Sequence, residues 1–284
     1  MLTVLEIIKR TTEFLASRGI ASPRLNAELL LGHVIDRRRM QLYLEFERPL
    51  TAAELDRLRP LVRRRGQQEP LQYVLGETEF RGLRLKVDRR ALIPRPETEL
   101  LVELVREWSA AQPPVTRALD LGTGSGAIAA ALATLWPAAA VVAAERCPEA
   151  LALARENFAA LGLDGRVQGV AASWFEGVPA GPYDVIVSNP PYLTAAEVAA
   201  AAPEVRQHEP RTALEAPEEG LAELRAILAT APGHLRAGGL LALETGCDHH
   251  ADLSARLQAA GYQQIAARQD LTGRDRFILA VWPG

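Results

Sequence analysis

The chain has 284 residues, of which 48% are hydrophobic and 24% charged, an ordinary globular balance with material for one large domain or two smaller ones. Its net charge of −3 argues against a dedicated grip on duplex nucleic acid, which works through a basic face. No apolar run approaches the roughly 20 residues of a spanning helix, and the opening MLTVLEIIKRTTEF carries charges inside its apolar stretch, so neither a membrane anchor nor a signal peptide is expected.

Residues 1–76 read as a small helical domain. Val4, Ile7, Ile8, Phe14 and Leu15 recur at helical spacing. A second helix is expected from SPRLNAELLLGHVI, with Ser22 as N-cap and Pro23 at the first helical position. A third is expected from TAAELDRLRPLVRRRG, where Thr51 and Glu54 form a capping box and Pro60 introduces a kink. Residues 77–97 read as a linker, with Phe80, Leu83, Leu85 and Val87 alternating as a short β-hairpin and IPRPET extended. Thr98 or Glu97 then leads into a helix.

Residues 98–284 alternate strand and helix. The expected strands are ALDLG, VVAAE, VQGVAA, YDVIVS, LLALET, QIAAR and FILAVW, a pattern that argues an α/β fold with a mostly parallel sheet covered by helices on both faces. Ligands of such sheets sit outside the carboxyl ends of the strands, near the point where strand order reverses. The alanine-rich LTAAEVAAAAPEV reads as helix. Two distant cysteines, Cys147 and Cys247, form no CxxC pair and fit a reduced, cytoplasmic protein. Only Lys9 and Lys86 of the 32 basic residues are lysine, a bias we read as genome composition.

Three features carry chemistry. LDLGTGSGAIAAALA places Gly122, Thr123, Gly124, Ser125 and Gly126 between a strand and a helix, where bare backbone lets a ligand approach and helix N–H groups face it. The same loop also fits a dinucleotide fingerprint. Glu145 ends the next strand, where an acid accepts hydrogen bonds from ribose hydroxyls; it serves NAD and S-adenosylmethionine alike. Trp174, after the third strand, suits either an adenine ring or the core.

The third feature is the platform Asn189-Pro190-Pro191-Tyr192, which follows the fourth strand. Its prolines end the strand and hold Asn189 extended. A planar nitrogen, in an amide or an adenine amino group, has a delocalised lone pair and is a poor nucleophile. Positioning helps it: the Asn189 side-chain oxygen and the Pro190 carbonyl can accept both N–H bonds of an NH₂ group, and the Tyr192 ring can cover it. A methyl sulfonium in line would then receive the nitrogen.

With these residues the chain resembles the N5-glutamine methyltransferases of peptide-chain release factors, the HemK family. The resemblance covers nearly the whole chain and rests on LIPRPETELLVE, ALDLGTGSGAIAAALA, DVIVSNPPYL, EVRQHEPRTAL, LRAGGLLALETG and DLTGRDRFILA, in that order. It implies a Rossmann-like S-adenosylmethionine domain with a seven-stranded sheet whose last strand is antiparallel, and a helical N-terminal domain that helps bind the release factor. The implied substrate is the glutamine of the Gly-Gly-Gln loop, and the implied product of the cofactor is S-adenosylhomocysteine. Gly122 to Gly126, Glu145, Trp174 and Asn189 would contact the cofactor, and Asn189 to Tyr192 would hold the glutamine amide. This chain departs from the pattern where Glu145 replaces the more usual Asp, where Ser173 replaces an Asp before the tryptophan, and where LETG replaces LEIG. Glu145 should still reach the ribose, whereas an adenine contact at Ser173 would be weaker or made by backbone.

The competing expectation is an adenine-N6 methyltransferase of DNA or RNA, since the same platform could hold a flipped base. The arginine runs Arg37 to Arg39 and Arg63 to Arg65 keep it open, while the acidic balance and 5% aromatic content argue against direct nucleic-acid binding. The five histidines show no HExxH-type spacing, so no metal is expected, and His249 and His250 read as a helix start. By position alone, His208, Glu209 and Arg211 would form part of a cover over the glutamine.

Overall fold

The computed structural model describes residues 2–284. The chain divides into two compact units. One runs to Glu77 and takes in Ala202–His208; the other comprises Thr78–Ala201 and Glu209–Gly284.

The first unit holds helices α1 (Val4–Ser17), α2 (Pro23–Ile35), α3 (Arg39–Leu44), α4 (Ala52–Gly66) and α5 (Leu71–Leu75). Thr51 and Glu54 close the expected capping box on α4, and Thr3 with Glu6 makes another on α1. Pro60 lies inside α4, which continues through it. The start of α2 departs from expectation. Pro23 opens it, but Ser22 is left-handed (φ 49°) and makes no side-chain cap bond. That turn is tied instead by Asn26, whose Nδ2 donates to the carbonyls of Ala21 and Ser22, both at 3.1 Å. Val4, Ile8, Leu15, Leu30, Leu31 and Leu58 meet in one apolar core. Arg65 is buried beside it and satisfied three ways: by Asn26 Oδ1 at 2.7 Å, the Glu69 carbonyl at 3.0 Å and Glu204 Oε2 at 2.7 Å. Glu204 belongs to the helix Pro203–His208 of the same unit.

The second unit begins at Thr78, inside the hairpin of β1 (Glu77–Phe80) and β2 (Leu83–Lys86), which is followed by α6 (Pro96–Ser109). Helix α6 starts at Pro96, one residue before Glu97 and two before Thr98. Proline suits a first helical position because its missing N–H would have no partner there. The chain continues as β3 (Arg117–Leu121), α7 (Ala127–Leu135), β4 (Ala140–Glu145), α8 (Pro148–Ala160), β5 (Val167–Ala171) and β6 (Tyr183–Ser188). It then runs through α9 (Ala195–Ala200), α10 (Pro203–His208), α11 (Ala222–Thr230), β7 (Leu235–Glu244), α12 (His250–Ala259), β8 (Gln263–Gln269) and β9 (Asp275–Trp282). The alanine-rich stretch is therefore two short helices. Ala201 turns extended (ψ 159°) and Pro203 restricts the residue before it, so a single helix cannot pass.

The seven expected strands form one sheet in the order β5-β4-β3-β6-β7-β9-β8. Strands β3 to β7 pair in parallel, and β9 runs antiparallel to both its neighbours. Successive residues alternate between faces. Val185 and Val187 join the apolar cluster under α6, α7 and α8, while Ile186 joins the cluster under α11 and α12. From β3 the chain steps outward to β4 and β5, then returns to place β6 on the other side of β3. Strand order thus reverses between β3 and β6, and a crevice opens at their carboxyl ends. Among the described residues no helix is long and apolar enough to cross a membrane.

Candidate functional site

The glycine loop leaves β3 at Leu121. Gly122, Gly124 and Gly126 all have left-handed φ, of 72°, 55° and 86°. At Gly126 a side chain is doubly excluded, since a Cβ would stand 2.6 Å from the Phe158 ring. Two buried polar side chains hold the loop. Asp120 accepts from Thr123 Oγ1 at 2.5 Å and from the Ala129 N–H at 3.0 Å, joining the loop to the first turn of α7. Asn157 of α8 donates to the Ser125 carbonyl at 2.8 Å and to the Lys86 carbonyl at 3.0 Å, and accepts from the Lys86 N–H at 2.8 Å. Burial pushes the Asp120 carboxyl up to about 7, against the opposing bonds from Thr123 and Ala129; nearby Glu145 adds to the rise.

Glu145 is buried at the end of β4. Its carboxylate accepts from the N–H of Gly124 at 3.0 Å and of Cys147 at 2.9 Å. A carboxylate offers about four acceptor positions, so both oxygens keep capacity for a ligand's hydroxyls. The Trp174 ring lies over Gly122, where a Cβ would be 3.4 Å from it, and the indole N–H donates to Glu223 Oε2 at 2.5 Å. Ser173, next to it, pairs through its backbone with Glu176 at 3.0 Å in both directions.

These groups line one pocket at the carboxyl ends of β3, β4 and β6. Its wall includes Gly122 to Ser125, Glu145, Trp174, Asn189 and Pro191, together with Thr98, Arg95 and Pro210. Of the expected site residues, Gly126, Pro190 and Tyr192 do not line it. Gly126 caps α7, Pro190 is buried, and half-buried Tyr192 packs against the apolar cluster under α11 and α12. The Tyr192 hydroxyl donates to Glu244 Oε1 at 3.0 Å. Burial first, and then the Glu244 charge, push its pKa upward, so the phenol stays protonated and donates.

The segment after α10 supplies one wall. Arg95, from IPRPET, donates to both Glu209 oxygens at 2.7 and 2.8 Å, and Pro210, Thr212 and Ala213 line the pocket behind this pair. Arg211 is exposed and pairs with Glu215, and His208 belongs to the first unit. Sequence reading missed Thr98, Asp120, Asn157 and Glu244. The available signal was that Glu244, like Glu145, stands at the end of a strand directly after a run of buried apolar residues.

The pocket suits a nucleoside-bearing group. Its loop backbone is bare at Gly122 and Gly124, the Glu145 carboxylate is hydrogen-bonded to that backbone, and an indole ring forms part of the wall. No group of three or more His, Cys, Asp or Glu suited to a metal ion occurs among the described residues.

Comparison with known proteins agrees with this architecture. A sequence-family profile described as PrmC N-terminal domain matches residues 6–76, and one described as methyltransferase small domain matches residues 96–258. The chain is 44% identical to the release factor glutamine methyltransferase of Chlorobaculum tepidum, covering 96% of this chain and 95% of that one. It is 43% identical to the protein of the same name from Deinococcus radiodurans, covering 97% of each. Among solved structures it is similar in fold to a methyltransferase from Pyrococcus furiosus (TM-score 0.53, 22% identity, 72% of this chain and 90% of that one). A second structural relative is the T. thermophilus 16S rRNA N2 G1207 methyltransferase in complex with AdoMet and guanosine (TM-score 0.51, 20% identity, 72% and 49%).

Proposed function

The chain belongs to the release factor glutamine methyltransferases, and from that premise we propose that it methylates the side-chain amide nitrogen, N5, of the glutamine in the Gly-Gly-Gln motif of peptide-chain release factors. The methyl donor is S-adenosyl-L-methionine and the product left behind is S-adenosyl-L-homocysteine. Such an enzyme modulates translation termination and works in the cytoplasm. The observation that carries the proposal is Asn189, held at the carboxyl end of β6 in the wall of the same pocket as Gly122, Gly124 and Glu145.

S-adenosylmethionine supplies a methyl group made electrophilic by its positive sulfur. Gly122, Thr123, Gly124 and Ser125 give it bare backbone, Gly126 turns the loop into the helix start behind them, Glu145 takes its ribose hydroxyls, and Trp174 and Asn189 complete its surroundings. Asn189 and Pro190 do the work on the acceptor. Their two oxygens accept the two N–H bonds of the glutamine amide, fix the nitrogen, and favour the positive charge that it gains as it takes the methyl group; the four-substituted nitrogen, made acidic, then releases one of its two protons. Pro191 stiffens the platform and Tyr192 bounds it. The helical domain (residues 1–76), joined through the 77–97 linker to the catalytic domain (98–284), binds the release factor. In support, it carries an apolar groove lined by Leu2, Ile7, Phe14, Leu55, Leu58 and Val62, with Arg10, Arg18, Arg59 and Arg63 around it. The full-length relatives favour a protein amide over an adenine amino group as acceptor.

The test is incubation with methyl-labelled S-adenosylmethionine and, separately, release factor, its loop Gln→Ala variant, and adenine-containing DNA and RNA. Label on release factor that disappears in the loop variant is the expected outcome. Label on nucleic acid, with release factor unmodified, would overturn the proposal.

A further inference from the structure

Behind the platform runs one continuous chain of hydrogen bonds. Asn189 Nδ2 donates to Thr98 Oγ1 at 3.1 Å, and Thr98 Oγ1 donates to Glu244 Oε2 at 2.7 Å. On the far side, the Tyr192 hydroxyl donates to Glu244 Oε1 at 3.0 Å. Arg276 donates to the Tyr192 oxygen at 3.2 Å and to the Thr245 carbonyl at 3.1 Å. Thr98 and Glu244 are 4% and 1% exposed, so water does not substitute freely for either. The residues come from four places in the sequence: the start of α6, the platform, the end of β7 and β9.

Donor and acceptor counting gives this chain a direction. An ionised carboxylate only accepts. In its ionised form, which Thr98, Tyr192 and Arg276 favour against burial, Glu244 takes the single proton of each hydroxyl that reaches it. Thr98 is left with lone pairs alone, so whatever else meets it must donate. A primary amide has one donating end and one accepting end. Asn189 must turn its NH₂ toward Thr98, which leaves Oδ1 as the end it offers to a ligand. Without this constraint the two ends of the amide are nearly equal in size, and packing alone does not choose between them.

We propose that Thr98 and Glu244 are positioning residues that lock the Asn189 carboxamide with its oxygen toward the substrate, and thereby make the site select a glutamine amide over a glutamate carboxylate. The inference rests on the proposed function and deepens it. An inward oxygen accepts from an NH₂ group and opposes a carboxylate, whereas an inward NH₂ would do the reverse. Selectivity at the platform is thus set two hydrogen bonds away, by a glutamate that does not line the pocket.

The experiment compares the wild-type chain with Thr98→Val, which keeps the shape and removes the hydroxyl, Thr98→Ser, which restores the hydroxyl, and Glu244→Gln, whose amide can offer either end to Thr98. Two quantities are read. One is the affinity for release factor carrying its loop glutamine relative to a loop Gln→Glu form, measured with S-adenosylhomocysteine bound. The other is the split of kcat against KM for methyl transfer. Wild type should bind the glutamine form more tightly. Thr98→Val should lower that preference about tenfold, the worth of one directed hydrogen bond, and lower kcat more than it raises KM. Thr98→Ser should restore both, and Glu244→Gln should fall between. Should Thr98→Val fail to fold, Glu244→Gln carries the same comparison. A wild-type preference that survives both Thr98→Val and Glu244→Gln would overturn the inference, as would equal binding of the two loop forms by a wild-type enzyme that methylates release factor. Wild-type enzyme that leaves release factor unlabelled would instead overturn the substrate proposal, so the two failures are distinguishable.

Discussion

The two ends of the central strands use buried carboxylates in opposite ways. At the amino end of β6, Asp184 accepts from the Thr116 N–H at 2.7 Å, the Thr116 hydroxyl at 2.9 Å and the Arg117 N–H at 2.8 Å, and it also pairs with Arg236. Burial alone would raise its pKa, but these partners outweigh burial and hold it below the usual carboxylate range. At the carboxyl end, Asp120 and Glu244 are raised, in both cases chiefly by burial. Asp120 Oδ1 has no hydrogen-bond partner among the described residues. One end of the sheet is finished with a fully partnered charge. The other keeps carboxylates whose bonds are few and directional, and that is the end where the pocket lies. A charge surrounded by donors holds strands together, whereas a charge with few donors dictates which way each of them points.

The sharpest way to break this contrast is to remove one group from each end. Asn189→Ala should lower kcat/KM for release factor methylation about a hundredfold or more, as loss of a group aimed at developing charge does, and shift the thermal midpoint by less than about 3 °C. Asp184→Ala should do the opposite. It strands two backbone N–H groups and Arg236, and should cost about 3 kcal/mol of stability in a denaturant melt while leaving kcat/KM of the folded enzyme unchanged. If Asp184→Ala inactivated a well-folded enzyme, the division of labour between the two ends would be wrong.

A smaller effect sharpens the picture within the carboxyl end. Glu145→Gln keeps the side-chain length but offers one acceptor oxygen where the wild type offers two. It cannot serve the Gly124 and Cys147 N–H groups and a ligand diol equally well. Its affinity for S-adenosylmethionine should fall about tenfold by calorimetry, with kcat at saturating cofactor little changed. A large loss of kcat with unaltered affinity would move Glu145 out of the cofactor-binding role.

Much of this was visible in the residues. The central strands carry short apolar runs, and such runs are legible because periodicity is local; the edge strand β8, QQIAARQ, carries only the short apolar stretch IAA. Gly122 to Gly126, Glu145 and Asn189 stood out because each marks the end of a strand, which is where an α/β sheet gathers its ligands. What stayed hidden depends on contacts distant in sequence. Thr98 and Glu244 are 146 residues apart, and Arg95 and Glu209 are 114 apart, so no window of sequence contains both members of either pair. The break in the alanine-rich stretch was hidden for another reason. Alanine favours helix wherever it stands, and only the extended Ala201 before Pro203 divides the run and sends the chain through the first unit at Ala202–His208.

The smallest effect expected is in the pH dependence of stability, where the two ends should differ in sign. Asp120 has a folded pKa near 7 against an ordinary value of 3.8. Between those values the folded chain holds a proton that the unfolded chain has released, so this group makes stability fall as pH rises from about 4 to about 7, and the loss is complete above that. Asp184 is lowered on folding, so its stabilisation is present at neutral pH and is lost only as pH falls below the ordinary aspartate range. The two windows do not overlap, and the groups can therefore be separated. Asp120→Asn cannot titrate. Relative to wild type, its thermal midpoint should decline by a few degrees less between pH 5 and pH 7.5, while the Asp184 limb below pH 4 persists in both proteins. Equal slopes for Asp120→Asn and wild type across pH 5 to 7.5 would mean that Asp120 is ionised throughout. Thr123 and Ala129 would then offset its burial, and the carboxyl end of β3 would be as fully partnered as the amino end of β6.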